Sequence, residues 1–229
     1  MKVGFFGKLP GYGDFIQRNV SPDFVNLWDN WLLQSIKSSR EQLADGWRAN
    51  YFNSPIWRFV IGNGALGNIA TTGLMMPSVD KSGRCYPFTV ICQSDEQVNP
   101  FIFARKTDPY HDNGEDFILS LLEKERPDLD DISNVLSDIY NDVQESAYKS
   151  ISSKASSSVM EIAAISDNDL DDFGSCNETL LETLLGRQNI DISIWSMNGI
   201  ESTNSQKRYF SGMPPVDNYY SFLVGAENQ

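Results

Sequence analysis

Apolar side chains that recur at spacings of three and four predict a long amphipathic helix near the start of the chain. These positions are Phe24, Leu27, Trp28, Trp31, Leu32 and Ile36. They follow Ser-Pro-Asp at residues 21–23, which supplies a cap, a first-turn proline and an acid at the positive helix end. We therefore predict a helix over residues 21–42, with Trp28 and Trp31 buried against a sheet.

Short apolar runs bounded by turn-forming residues predict strands along much of the remaining chain. These runs cover residues 1–7, 55–61, 69–76, 84–93, 159–165 and 190–197. Helical patterns cover 115–123, 128–144 and 176–185, whereas 93–114 is polar and 150–158 is a serine-rich connection. The tight links between residues 56 and 93 favour antiparallel neighbours. We predict a single α+β domain over residues 1–229, a three-layer α/β/α arrangement whose mainly antiparallel central sheet is flanked by helices on both faces.

The polar turn between the apolar runs of residues 73–91 is the first candidate for a functional loop. Its flanking runs are predicted to be neighbouring strands, with Asp80 and Arg84 close enough to pair and Gly83 in a conformation that other residues disfavour. Residues 8–14, rich in glycine and proline, form a second loop. We expect the two loops to lie close together and to expose charges of mixed sign.

Composition excludes several functional classes. The net charge of −13 argues against nucleic-acid binding, because phosphates would be repelled. The acidic excess lies in residues 108–229, which hold 23 acidic and 7 basic side chains, against 8 and 11 in residues 1–107. No run is long enough for membrane insertion and the apolar start is too short for a secretory signal, so we expect a cytoplasmic protein. The excess is consistent with solubility or with a basic partner.

The cysteines and histidine give little sign of metal or disulfide chemistry. Three cysteines without a CxxC pair, together with a single histidine, argue against a zinc site and against a disulfide framework. We interpret Cys85 and Cys92 as core thiols. Residues 167–178 have the acidic spacing of a calcium loop, but Asp172 stands where that loop requires glycine. A solvated acidic loop and no bound metal or cofactor are therefore expected.

Nucleophilic catalysis has weak support. His111 is the only imidazole and is expected in an exposed loop. Pairing of His111 with Ser78 or Cys85 stays open, but no nucleophile elbow is present. The 8–14 loop lacks the GxxxxGK[ST] pattern of a phosphate-binding loop. We therefore expect a protein that is not an enzyme.

Four blocks, taken together, resemble the TagF family, also called ImpM, of accessory proteins of bacterial type VI secretion. They are GFFGKLPGYGDF at 4–15, WDNWL at 28–32, PIWRF at 55–59 and GLMMPSVDKSGRCYPF at 73–88. The resemblance covers about residues 3–91 and has no diagnostic block beyond about residue 110. It implies a non-enzymatic regulator that represses the secretion system after translation by binding a forkhead-associated scaffold protein. No catalytic residue carries over; in some bacteria the domain is fused to a protein phosphatase.

The two loops carry the resemblance, so we predict that they form part of the partner-binding face. The candidate residues are Lys8, Tyr12, Asp14, Arg18, Asp80, Lys81 and Arg84. An internal Asp–Arg tie that only shapes the loops is the competing interpretation. A small-ligand-binding or hydrolytic protein that uses loops 7–14 and 78–84 is a further alternative, which a concave pocket lined by both loops would favour.

Overall fold

The computed structural model describes residues 1–94, 98–148, 191–199 and 205–224, with side chains in the second range to residue 141. The elements in chain order are β1 (Lys2–Gly7), β2 (Ile16–Arg18), α1 (Pro22–Leu43), α2 (Trp47–Asn53), β3 (Trp57–Ile61), β4 (Ala70–Met76), β5 (Phe88–Ser94), α3 (Pro100–Leu122), α4 (Leu129–Tyr148), β6 (Ile192–Met197), β7 (Gln206–Ser211) and α5 (Tyr220–Leu223). None of the helices in these ranges has the length and apolarity needed to cross a membrane.

The described strands form one sheet in the order β2-β1-β5-β4-β3-β6-β7, and every neighbouring pair is antiparallel. The predicted pairing of the two runs in residues 73–91 is confirmed, since Gly73 of β4 lies opposite Ile91 of β5. The second strand begins at Phe88 rather than at residue 84. Turn bonds such as Tyr86 N to Ser78 O, 3.0 Å, hold the preceding residues in the loop instead.

One face of the sheet is covered by α1, α2 and α5. The Ser21 hydroxyl caps α1 by accepting from the Phe24 backbone N–H, as predicted. Trp28 is fully buried and Trp31 is 7% exposed, which confirms the prediction that both face the sheet. The Trp31 indole N–H also donates to Pro214 O at 2.8 Å, so α1 fixes the segment that leads into α5.

The opposite face is covered by α3 and α4, which confirms an α+β fold with helices on both sides. The polar connection predicted over residues 93–114 is wrong from Pro100 onward. Asn99 caps α3, which then continues through Pro109. The helix persists because one of its faces is buried against the sheet and α4, including Phe103, His111 and Ile118.

Some predictions lie outside the described residues: the serine-rich connection at 150–158, the strand at 159–165, the acidic segment 167–178 and the helix at 176–185, with Cys176. Cys85 and Cys92 are free and buried, which confirms them as core thiols. The final strand pattern at 190–197 is confirmed as β6.

Candidate functional site

The two candidate loops lie side by side at one end of the sheet. Lys8 Nζ contacts Asp80 Oδ2 at 2.8 Å, and Arg84 Nη2 donates to Gly13 O at 2.8 Å. The Lys81 backbone N–H donates to Tyr12 O, also at 2.8 Å. Three bonds from different parts of both loops therefore fix their relative positions.

The Asp80 carboxylate organises this junction. Oδ1 accepts from the backbone N–H groups of Ser82 at 2.9 Å and Arg84 at 3.0 Å. Oδ2 accepts from Lys8 Nζ and from Arg84 Nε, the latter at 2.6 Å. Burial alone would raise the pKa of Asp80, but the hydrogen bonds from Lys8, Arg84 and Ser82 outweigh it and hold this pKa well below its usual range. Gly83 completes the turn at φ +79°, as predicted.

The expectation that all these charges are exposed is wrong for Lys8 and Asp80. They are 6% and 2% exposed, because their ion pair lies beneath the loops and each side chain neutralises the other. Neither can contact a partner directly. Arg84 differs, since its side chain is 62% exposed even while Nε pairs with Asp80. Asp14 and Lys81 are also exposed, and Asp14 Oδ1 accepts from the Phe15 backbone N–H at 2.8 Å.

Tyr12 and Arg18 join the first loop to α4 and the turn before it. The Tyr12 hydroxyl donates to Pro127 O at 2.6 Å, and the Arg126 guanidinium lies 5.1 Å from the Tyr12 ring centre. Arg18 ends β2 and pairs with Asp130 of α4 at 3.2 Å. The contacts of Arg18 therefore run to α4, whereas Tyr12 belongs to the loop junction.

Sequence reasoning missed three residues at this junction: Phe15, Arg48 and Arg126. Phe15 is 42% exposed although its ring stacks on Phe6 and meets the edge of Tyr86. Lys8 Nζ lies 4.8 Å from the Phe15 ring centre. An aromatic residue directly after a glycine-rich loop was the available signal for Phe15.

Arg48 on α2 reaches the same place, where Nη1 donates to Gly83 O at 3.4 Å. Nothing in the local sequence of α2 indicates this contact. We call the exposed part of the junction the loop surface. It comprises the half-buried Tyr12 and the exposed side chains of Asp14, Phe15, Arg48, Lys81, Arg84 and Arg126.

His111 cannot serve as the base of a nucleophilic pair with Ser78 or Cys85, and the prediction of an exposed loop histidine is wrong. It is 2% exposed on α3, with Nε2 3.1 Å from Thr72 Oγ1 and Nδ1 2.8 Å from the Tyr140 hydroxyl. Both ring nitrogens are thus engaged. Burial, followed by the nearby Arg58 cation, lowers the pKa of His111 to about 3, so the ring is neutral.

A second charged cluster surrounds Arg58, on β3 beneath α3. The guanidinium is 5% exposed and pairs with Asp108 at 3.0 Å, Glu115 at 2.6 Å and Asp112. Burial alone would lower the pKa of Arg58, but the hydrogen bonds to these three carboxylates outweigh it and raise the pKa above its usual value. Its partners come from successive turns of one helix, so the cluster ties α3 to the sheet.

Comparison with known proteins places the chain by sequence and by fold. A family profile described as the TagF N-terminal domain, type VI secretion system-associated, matches residues 4–139. That range extends past residue 91, where the resemblance of the sequence blocks ends, into α4. No curated protein matches the chain. The crystal structure of PA0076 from Pseudomonas aeruginosa PAO1 is similar, with a TM-score of 0.70 and 26% identity over 97% of this chain and 94% of that chain.

Proposed function

Because this chain belongs to the TagF N-terminal domain family, which is associated with type VI secretion, we propose that it is a cytoplasmic regulator of a bacterial type VI secretion system. It acts after translation as a repressor, without catalysis, by binding a forkhead-associated scaffold protein. The loop surface is the contact face. The observation that carries this proposal is that two loops held together by a buried ion pair present an exposed aromatic ring, Phe15, and the exposed cations Lys81 and Arg84.

The loop surface has the residue types that are typical of protein–protein interfaces. Aromatic and arginine side chains are the residue types most often found at the energetic centre of protein interfaces. Phe15 is already fixed by Phe6 and Tyr86, and Arg84 by Asp80, so ordering either side chain on binding costs little entropy. The loops therefore offer a preorganised contact face.

The charge of the loop surface indicates what it binds. Its cations are Arg48, Lys81, Arg84 and Arg126, and its carboxylate is Asp14. Exposed carboxylates of the flanking segments include Asp45, Glu125 and Asp128. A basic surface on a chain of net charge −13 favours an acidic patch on the scaffold. Rim charges of this kind speed association and make binding weaken with salt.

The alternative of a ligand-binding or hydrolytic protein at loops 7–14 and 78–84 has less support. Asp80 is fully committed to Lys8, Arg84 and the turn backbone. Ser78 is 2% exposed, and its backbone is bonded to the Tyr51 hydroxyl. Neither side chain is open to a substrate.

The test measures binding of the purified chain to the purified scaffold protein by calorimetry, with secretion assayed in the same strain. Arg84→Ala and Phe15→Ala should each weaken binding by about tenfold or more, about 1.4 kcal/mol, and relieve repression. Their melting temperatures should stay close to that of the parent. Arg105→Ala, an exposed arginine on α3, is the matched control and should bind as the parent does.

Lys8→Ala is unsuitable as a binding probe, because it breaks the buried pair with Asp80 and changes stability. The informative variant is the double substitution of Arg84 and Phe15 by alanine. If that protein is folded and still binds the scaffold and represses secretion fully, the partner face lies elsewhere.

A further inference from the structure

Arg208 of β7 is a cation held by neutral groups. Its Nη1 donates to Ser221 Oγ at 2.6 Å, and its Nη2 donates to Ser221 O at 3.0 Å and Gln206 Oε1 at 2.8 Å. The guanidinium carbon lies 4.9 Å from the ring centres of both Trp57 and Phe222. In the described ranges, no carboxylate oxygen lies within 4.0 Å of its nitrogens.

Two cations that are buried in the described part of the chain have carboxylate partners instead. Lys8 faces Asp80, and Arg58 faces three carboxylates. Arg208 is half-buried. Partial withdrawal of a guanidinium from water without a counter-charge is unfavourable, and burial lowers the pKa of Arg208 accordingly. The rings and neutral acceptors offset part of this cost, but the described residues supply no negative charge to Arg208.

A concavity of about 790 Å³ opens beside this guanidinium. It is lined by residues 205–210 together with Asn218, Tyr220 and Ser221. The concavity is shallow and largely open to solvent, and hydroxyl and amide groups are available around it. A guanidinium has five N–H donors, and the three bonds above leave the Nε–H and one Nη1–H unused by described residues.

We propose that this concavity binds a small molecule bearing an oxyanion, a carboxylate or a phosphate, with Arg208 as its charge partner. Both groups accept hydrogen bonds from a guanidinium and supply the missing negative charge. The site is distinct from the loop surface, because β7 and β2 are opposite edges of the sheet. It does not depend on the binding of a scaffold protein.

The experiment titrates the 229-residue chain with inorganic phosphate and, separately, with succinate. Ionic strength is held constant with sodium chloride, and the Arg208 Nε–H and Trp57 indole N–H signals are followed by NMR. We expect saturable shifts of both signals with at least one probe. Arg208→Gln should raise the dissociation constant by about tenfold or more, whereas Arg105→Gln, at an exposed position of α3, should leave it unchanged.

A response to phosphate alone identifies a phosphate ligand, and a response to succinate alone identifies a carboxylate; a response to both supports the shared oxyanion chemistry. Shifts that sodium chloride alone reproduces would overturn the proposal, as would unchanged affinity in folded Arg208→Gln. If Arg208→Gln does not fold, the Arg208 Nε–H signal of the parent decides the question. Its failure to shift with either probe would also overturn the proposal.

Discussion

Asp80 and Arg58 are two buried charges, each surrounded by groups of the opposite sign. Asp80 is a carboxylate held by two cations at the loop junction, and Arg58 is a guanidinium held by three carboxylates beneath α3. The partners of the two charges differ in how far they are exposed to solvent. Lys8 is 6% exposed, whereas the side chains of Asp108 and Asp112 are 60% and 66% exposed.

The burial of the partners decides how much stability is lost when an ion pair is broken. If Asp80 loses its charge, the Lys8 ammonium remains enclosed without a counter-charge. If Arg58 is lost, Asp108 and Asp112 return to water, and only Glu115, 17% exposed, stays partly enclosed. The loop junction is therefore the more fragile of the two, although fewer charges meet there.

The largest expected effect is that of Asp80→Asn. The amide keeps the shape of the side chain but leaves Lys8 as an uncompensated buried charge, so the free energy of unfolding should fall by about 3–5 kcal/mol. Urea unfolding with an unchanged m-value would measure this loss. Asp14→Asn, an exposed loop carboxylate, is the control and should change stability by less than about 0.5 kcal/mol.

The stability difference between the parent and Asp80→Asn should depend on pH. The folded-state pKa of Asp80 lies below its unfolded value of about 3.9, so its stabilisation is present above that pH and is lost as the pH falls further. The gap between parent and Asp80→Asn should narrow in acid. A gap below about 1 kcal/mol at pH 7 would mean that the buried pair is not what holds the loops.

The next effect concerns His111, which lies between the Arg58 cluster and α4. Its pKa is about 3 in the folded protein and about 6.5 when unfolded, so below pH 6.5 the unfolded chain binds more protons. Stability should therefore fall by about 2 kcal/mol between pH 6.5 and pH 5. Urea unfolding at several pH values measures this slope, and His111→Gln should remove it.

The single histidine of the chain makes the assignment direct. An NMR titration of the parent should show the His111 ring neutral at pH 5. A ring that titrates near pH 6.5, or a slope that persists in His111→Gln, would show that burial does not keep His111 neutral.

Much of the sheet could be predicted from sequence because its signals are local. Alternating and apolar runs predict strands such as β4 and β6, and the cap and periodicity of α1 lie within one stretch. The course of α3 could not be predicted in this way. Pro109 and its polar neighbours favour a loop, and only burial against the sheet keeps the helix continuous.

The loop junction was partly predictable. The pairing of Asp80 with Arg84 follows from a spacing of four residues across a turn. The burial of Asp80 depends on Lys8, which is 72 residues away in sequence, and therefore on the fold. Arg48 and Arg126 also reach the loop surface only through tertiary packing, so no local pattern indicates their role.

Arg58→Met should reduce stability less than either Asp80→Asn or the acid titration of His111. It tests the cost of removing a buried charge whose partners are mostly exposed. Methionine can fill much of the space, and two of the three freed carboxylates are already solvated, so we expect a loss of about 1–2 kcal/mol. Adding Glu115→Gln should recover part of it, because the one enclosed carboxylate is neutralised. Removing the Arg58 cation should also raise the pKa of His111, which NMR would detect. If Arg58→Met lowers the free energy of unfolding as much as Asp80→Asn does, the burial of the partners does not determine the loss. The loss would then depend on the removal of the central charge alone.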